Sequence, residues 1–269
     1  MAANFLYSTR DHKFILKEWL DLSKVFDAGR FKGGYSVEDI DSILENAMKI
    51  AKEAIAPTNE DGDTIHAVYK SGKVTVPESF KKGYWASQEN GLGSSNADHI
   101  DPSSLPLCVM GATNEFLAAA NAALGPYAMA TTGASGLIRD FGSEKVKSIF
   151  LPKMYSGQWS GTMDLTEPNS GSDVGDIVTK AIPTDEPGIY KIVGTKCFIT
   201  GGDQDITENI IHLTLARVEG SVPGTKGISL FVVPKYWPNE AGELGEFNDV
   251  NCGGIEHKMG IRGSATSIV

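Results

Sequence analysis

Hydroxyls, carboxylates and glycines crowd one short stretch of the 269-residue chain, WSGTMDLTEPNSGSDVGD, from Trp159 to Asp176. Met163 and Leu165 read as strand residues. Thr166-Glu167-Pro168 then ends the strand, because proline cannot donate to a ladder and restricts the residue before it. Beyond it, Gly171, Ser172, Asp173 and Gly175 form a turn whose small and polar side chains let backbone N–H groups approach a ligand closely. By composition alone the stretch serves equally as a polar hairpin connection. A second stretch, GTKCFITGGD, follows from Gly194 to Asp203. Propensity alone makes its Thr200 a β-branched strand residue.

Other chemistries lack their signatures. There is no strand-GxGxxG-helix, GxxxxGK(S/T), GxSxG or HExxH pattern, which argues against Rossmann, P-loop, nucleophile-elbow and zincin sites. Cys108, Cys197 and Cys252 are odd in number and far apart, so neither a disulfide framework nor a zinc site is expected, and a reducing cytoplasm fits. His66 and His99 are isolated loop histidines with no second ligand nearby, best read as solvated. A formal charge of −10 and a pI near 5.0 argue against a nucleic-acid partner. No signal-peptide pattern and no apolar run of membrane-spanning length is seen, so a soluble chain is expected.

The elements that would carry these residues fall into two groups. Phe14, Ile15, Trp19, Leu20 and Leu22 lie loosely on a helical stripe between Arg10 and Val25. Ser36 is placed as the N-cap of a helix whose apolar face runs Val37, Ile40, Ile43, Leu44, Ala47, Ile50, Ala51 and Ala54, stopped by Pro57. A hairpin is predicted around Lys70-Ser71-Gly72-Lys73, then a short helix from Pro77 to Trp85. Residues Leu105 to Leu124 are apolar nearly all round, as for a helix buried among helices. Helices at Tyr127–Phe141 and Glu144–Phe150 follow, the latter closed by Pro152. After Gly157 the period becomes two, with strands at Ile189–Ile192, Lys196–Thr200, Ile210–Arg217, Ile228–Val233 and Gly254–Met259. The fold class is therefore α+β: an all-helical domain over residues 1–157, then a β-rich domain over 158–269.

The two stretches in this order, with the junction GSEKVKSIFLPKMYSGQWSGTMDLTEP and the runs ITENIIHLTLAR, GTKGISLFVVPK and KMGIRGSATS, resemble the acyl-CoA dehydrogenase family over nearly the whole chain. The resemblance is greatest to its larger bacterial members, which include 3-methylmercaptopropionyl-CoA dehydrogenases. It implies a helical domain followed by a middle antiparallel β-barrel or sandwich. It also implies FAD as cofactor and α,β-dehydrogenation of an acyl-CoA thioester, a carboxylate taking the α-proton while the β-hydrogen leaves as hydride to flavin N5. Met163, Leu165 and Thr166 would lie along the flavin ring, and Phe198, Ile199 and Thr200 would cover its other edge, with the Thr200 hydroxyl near N5. Donors aimed at these edges stabilise the charge a flavin gains on accepting hydride. Gly171 and Ser172 would border the CoA side of the cleft, with Asp173 capping the loop. Arg262, near Ser264, could equally face CoA or form a salt bridge.

Electron-transfer flavoprotein is the implied electron acceptor. Family members continue into a C-terminal four-helix domain that builds the homo-oligomer and carries the general base, a glutamate expected beyond Val269. Glu167 reads instead as an N–H-capping or ion-paired side chain. This stretch by itself is thus expected not to turn over acyl-CoA. The alternatives are a non-catalytic acyl-CoA- or flavin-binding or assembly subunit, and an acyl-CoA oxidase.

Overall fold

The computed structural model describes residues 7–93 and 104–269, so His99 lies outside the described residues. Eight α-helices are present among them: α1 (Arg10–Lys13), α2 (Ser23–Phe26), α3 (Asp39–Ile50), α4 (Thr58–Thr64), α5 (Glu78–Glu89), α6 (Leu107–Ala120), α7 (Gly125–Phe141) and α8 (Glu144–Tyr155). On α3, Ile40, Leu44, Ala47 and then Ala51 are all fully buried, the spacing of one helical face. Ser36 does not cap by accepting an amide. Its own N–H and hydroxyl donate to Asp39 Oδ2, both at 2.8 Å, the back-reaching half of a capping box. At α8, Ser143 Oγ does accept the Val146 N–H. Pro152 lies inside α8 rather than closing it, because Leu151 and Met154 on either side of it are buried and hold the last turn.

Two helical readings change in the structure. Between Arg10 and Val25 there are two short helices, with a wider π-helical turn at Phe14–Trp19 and a left-handed Asp21 (φ 48°) between them. That winding rotates the apolar stripe outward, leaving Phe14, Ile15, Trp19 and Leu20 exposed while Leu16 and Leu22 are buried. Likewise α6 is not enclosed. Val109, Ala112, Thr113, Phe116 and Ala120 are buried on the side facing α3, whereas Leu107, Asn114, Ala118 and Ala119 are exposed.

The predicted hairpin is present as β1 (Val68–Lys70) and β2 (Lys73–Thr75), turning through Ser71 (φ 52°) and Gly72 (φ 78°). Two positive φ values in a two-residue loop match the right-handed strand twist.

Strands follow from Trp159: β3 (Trp159–Asp164), β4 (Lys180–Pro183), β5 (Tyr190–Val193), β6 (Asn209–Val218), β7 (Ile228–Pro234), β8 (Tyr236–Pro238), β9 (Leu244–Phe247), β10 (Gly254–Glu256) and β11 (Thr266–Ile268). The long β6 organises them. One edge pairs parallel with β3, from Trp159 opposite Asn209 to Asp164 opposite Thr214, and further along with β4. Its other edge pairs antiparallel with β7, and β4 pairs antiparallel with β5. The pairs β8–β9 and β10–β11 are antiparallel.

Alternation along β3 splits its side chains. Trp159 and Met163 pack with Ala134, Ile138, Phe150 and Met154 of α7 and α8. Gly161 lies on the same face, where a Cβ would come within 2.6 Å of Ala134 Cβ and 2.9 Å of the Met154 methyl. Four hydrogen bonds clamp the helices to the strands: Gly161 N–H to Thr131 Oγ1 (3.0 Å), Tyr84 OH to Gly157 O (3.0 Å), Tyr127 OH to Gly263 O (2.8 Å) and Ser264 Oγ to Ala123 O (2.6 Å). The middle of β3 and the Gly263–Ser264 turn are thereby fixed against the helices.

Candidate functional site

The chain leaves β3 at Asp164 and reverses within six residues. Glu167 N–H donates to Ser170 O at 2.8 Å and Ser170 N–H to Glu167 O at 3.1 Å. The Glu167 carboxylate accepts from Lys196 Nζ (2.8 Å) and from the Val178 and Thr179 amides (2.8 and 3.1 Å), with both charged side chains only 4% exposed. Burial pushes the Glu167 carboxyl upward, but the Lys196 ammonium and the two amides outweigh it and hold the group below its ordinary value. Glu167 is thus both ion-paired and amide-capping. Lys196 Nζ also donates to Leu165 O at 3.0 Å, so one ammonium joins the first stretch to the second.

The second stretch is not a regular strand. Lys196 and Val269 exchange N–H···O bonds of 2.7 and 2.9 Å, as do Ile199 and Ser267 at 2.9 and 2.7 Å. Cys197 and Phe198 therefore oppose Ile268 alone, which is a β-bulge. Phe198 takes the left-handed region (φ 61°), and the Cys197 amide turns aside to Thr166 O at 2.9 Å. A bulge re-aims side chains, and here the Phe198 ring is 50% exposed while Ile199 is buried. Gly201 (φ 66°) and Gly202 follow; a Cβ on Gly202 would come within 3 Å of Val269 and Ser267. Only glycine lets the turn close against β11.

Met163, Leu165, Thr166 and Thr200 are half-buried, and the Thr166 and Thr200 hydroxyls are not taken up by any intramolecular hydrogen bond among the described residues. Gly171, Ser172 and Asp173 are exposed. Asp173 Oδ1 accepts the Gly175 N–H at 3.0 Å, capping the turn Val174–Asp176, and Arg217 Nη2 donates to Gly175 O at 2.8 Å, pinning the turn to β6. Arg262 reaches into the helical half, donating to Asp63 O at 2.9 Å and lying 3.7 Å from Asp63 Oδ1. The structure thus brings Met163–Thr166 and Phe198–Thr200 into one wall, places Gly171–Ser172 on the loop leaving it, and holds Arg262 in an ion pair with Asp63.

Two features were not read from the sequence. An apolar cavity of about 390 Å³ opens between the exposed face of α6 and the start of α7, lined by Leu92, Met110, Asn114, Ala118, Leu124 and Ala128 among others. Its signal is the run of small residues in both helices. The second feature is a buried cluster on the other face of β3. Thr162 Oγ1 donates to Asp164 Oδ1 (2.6 Å), and His212 Nδ1 lies 2.8 Å from Thr162 Oγ1 and 3.0 Å from Asp164 Oδ2. Polar residues at alternate positions of β3, facing a histidine on β6, were its signal.

A helical layer clamped to a curled sheet, with a bulged segment pinned to the loop after β3, defines the class. Residues 162–269 match the family model of the acyl-CoA dehydrogenase middle domain. Those residues thus carry the acyl-CoA dehydrogenase middle domain, and nearly the whole chain is similar to acyl-CoA dehydrogenases. It is 45% identical over 266 residues to a butyryl-CoA dehydrogenase of Syntrophomonas wolfei, covering 98% of this chain and 44% of that protein. It is 39% identical over 235 residues to the 3-methylmercaptopropionyl-CoA dehydrogenase of Ruegeria pomeroyi, covering 87% of this chain and 40% of that one. Among solved structures, an acyl-CoA dehydrogenase from Bacillus anthracis complexed with FAD superposes with a TM-score of 0.65 at 22% identity, over 88% of this chain and 36% of that one. The chain therefore spans less than half the length of these relatives.

Proposed function

We propose that this chain forms the flavin and thioester wall of an FAD-dependent acyl-CoA dehydrogenase. The observation that carries the reading is the joining of the two stretches by the Glu167–Lys196 pair and the Cys197–Thr166 bond, which leaves two hydroxyls without a partner among the described residues near an exposed aromatic ring. These residues fit FAD: the ring offers a stacking face and the hydroxyls offer donors. Met163, Leu165 and Thr166 would hold one side of the isoalloxazine, with Phe198, Ile199 and Thr200 on the other. Bound FAD would supply the two-electron acceptor for a hydride leaving the β-carbon.

The remaining work falls to the chain's own groups. Thr166 and Thr200 would donate to the ring edges where negative charge develops, from segments already tied to each other through Cys197 N–H to Thr166 O and Lys196 Nζ to Leu165 O. Gly171 and Ser172, exposed on a turn pinned by Arg217, border the CoA moiety. The cavity beside α7 takes the acyl tail, its apolar lining excluding water from the thioester. Dehydrogenation also needs a carboxylate to take the α-proton. Glu167 is consumed by Lys196 and two amides and Asp164 by Thr162 and His212, so neither is free to serve as base. Electrons leave the enzyme to an electron-transfer flavoprotein, and the whole protein is a homo-oligomer.

The reading is tested with Thr166→Val and Thr200→Val in the full-length protein. Both should retain their thermal stability and slow flavin reduction by at least tenfold, the scale of a lost transition-state hydrogen bond. Wild-type reduction rates in both variants would remove these residues from the site.

A further inference from the structure

The bulge that exposes Phe198 also hands its ring to a cation. Lys258 Nζ lies 4.0 Å from the ring centroid, well inside the distance at which an ammonium is attracted to an aromatic face. The surrounding charges give this contact weight. Lys196, two residues before the ring, is neutralised by Glu167 in a buried pair. Lys258 makes no salt bridge among the described residues, and it shares this wall with the Glu256 carboxylate, both charges reaching the Cys197 thiol. The backbone that carries the lysine is also held in place. Ile261 N–H donates to Lys258 O at 3.1 Å, and the preceding His257 ring packs edge-on against His66, centroids 4.5 Å apart. On the far side, Arg262 is tied to Asp63. The turn that carries Lys258 is thus anchored to the helical half at both ends.

The ring is equally constrained. An aromatic residue at positive φ is a strained choice, kept here because Lys196, Cys197 and Ile199 on either side are all bonded through their amides. A conformation this determined, with a cation on one face of the ring, leaves the ring's remaining exposed surface as the part that can meet a ligand.

Building on the flavin reading above, we propose that Lys258 is a positioning residue for the cofactor. It fixes the Phe198 ring against the isoalloxazine and lends the wall a positive charge that favours the reduced, more negative flavin. A neutral side chain at 258 should loosen the ring and lower the flavin midpoint potential. Both consequences are read on the bound cofactor, without turnover.

The test uses full-length holoprotein and the variants Lys258→Met, Lys258→Arg, Phe198→Leu and the Lys258→Met/Phe198→Leu double. FAD affinity and midpoint potential are measured for each, with thermal unfolding of the apoproteins as the control for folding. Lys258→Met should raise the FAD dissociation constant by about three- to tenfold, the worth of one partly desolvated cation–π contact, and shift the potential downward. Lys258→Arg, which also stacks on an aromatic face, should restore both. In the Phe198→Leu background, Lys258→Met should have a much smaller effect on affinity, because the two residues act through one contact.

A Lys258→Met protein with wild-type affinity and potential overturns the proposal. So do effects of undiminished size in the Phe198→Leu background, which would make Lys258 a distant charge only. Wild-type protein that binds no flavin would instead refute the functional reading, and this inference with it.

Discussion

Breaking the Glu167–Lys196 pair by Lys196→Met gives the most exposing perturbation of this wall. Both side chains are 4% exposed, and the ammonium serves two acceptors, Glu167 Oε1 and Leu165 O. Its removal strands a buried carboxylate with only two amide donors. A broken buried pair costs about 3–5 kcal/mol. At roughly 2 °C per kcal/mol, the value for larger domains, that is a fall in Tm of about 6–10 °C. The pH dependence sharpens the test. In the wild type the Glu167 carboxyl is held below its ordinary 4.5, so the pair's contribution is complete above that pH and is lost as pH falls through the folded value. In Lys196→Met burial wins, the carboxyl moves upward, and protonation relieves the stranded charge. The variant's deficit should therefore shrink between pH 8 and pH 5, a range in which the wild-type pair is unaffected. Glu167→Gln/Lys196→Met should recover all but about 1–2 kcal/mol, since glutamine keeps an acceptor for the amides without the charge. Thermal and denaturant unfolding of the three proteins across pH decides it. A Lys196→Met protein as stable as wild type at pH 8, or one whose deficit grows on acidification, refutes the reasoning.

Other outcomes follow from the same geometry. Gly161→Ala drives a methyl to 2.6 Å from Ala134 Cβ and should cost about 1–3 kcal/mol in denaturant unfolding by prying β3 from α7. Asp164→Ala leaves the Thr162 hydroxyl and the His212 Nδ1–H without their buried acceptor, a loss of about 1–3 kcal/mol that Asp164→Asn should partly restore. Ala128→Phe fills the cavity beside α7, so the ratio of kcat/KM for long over short acyl-CoAs should fall by roughly tenfold or more, with an unchanged ratio removing the cavity from the acyl site.

Local chemistry was legible in the sequence where it is decided locally. Ser71-Gly72 supplies the two positive φ values its hairpin needs, and Asp173 bonds the amide two residues on, as such residues do in turns. The paired role of Glu167 was also readable, although Lys196, twenty-nine residues away, was not nameable as its partner. What stayed hidden depends on tertiary placement. The Lys196–Thr200 segment has strand composition, yet pairing across β11 with one residue too many turns it into a bulge. Apolar residues on α6 and after Arg10 read as buried because hydropathy reports what a side chain can do, and not whether a neighbour covers it. Arg262 illustrates the same limit: its charge was visible, but its ion pair with Asp63 spans 199 positions.

Thr166 and Phe198–Thr200 are proposed above as one wall of a flavin site that oxidises acyl-CoA. Anaerobic titration of the full-length protein with a saturated acyl-CoA, following the visible flavin bands, tests it most directly. The protein should carry FAD, its oxidised bands should bleach on addition of acyl-CoA, and enoyl-CoA should form in step with the bleaching. Protein that retains no FAD, or FAD whose bands are unchanged by excess acyl-CoA, would contradict it.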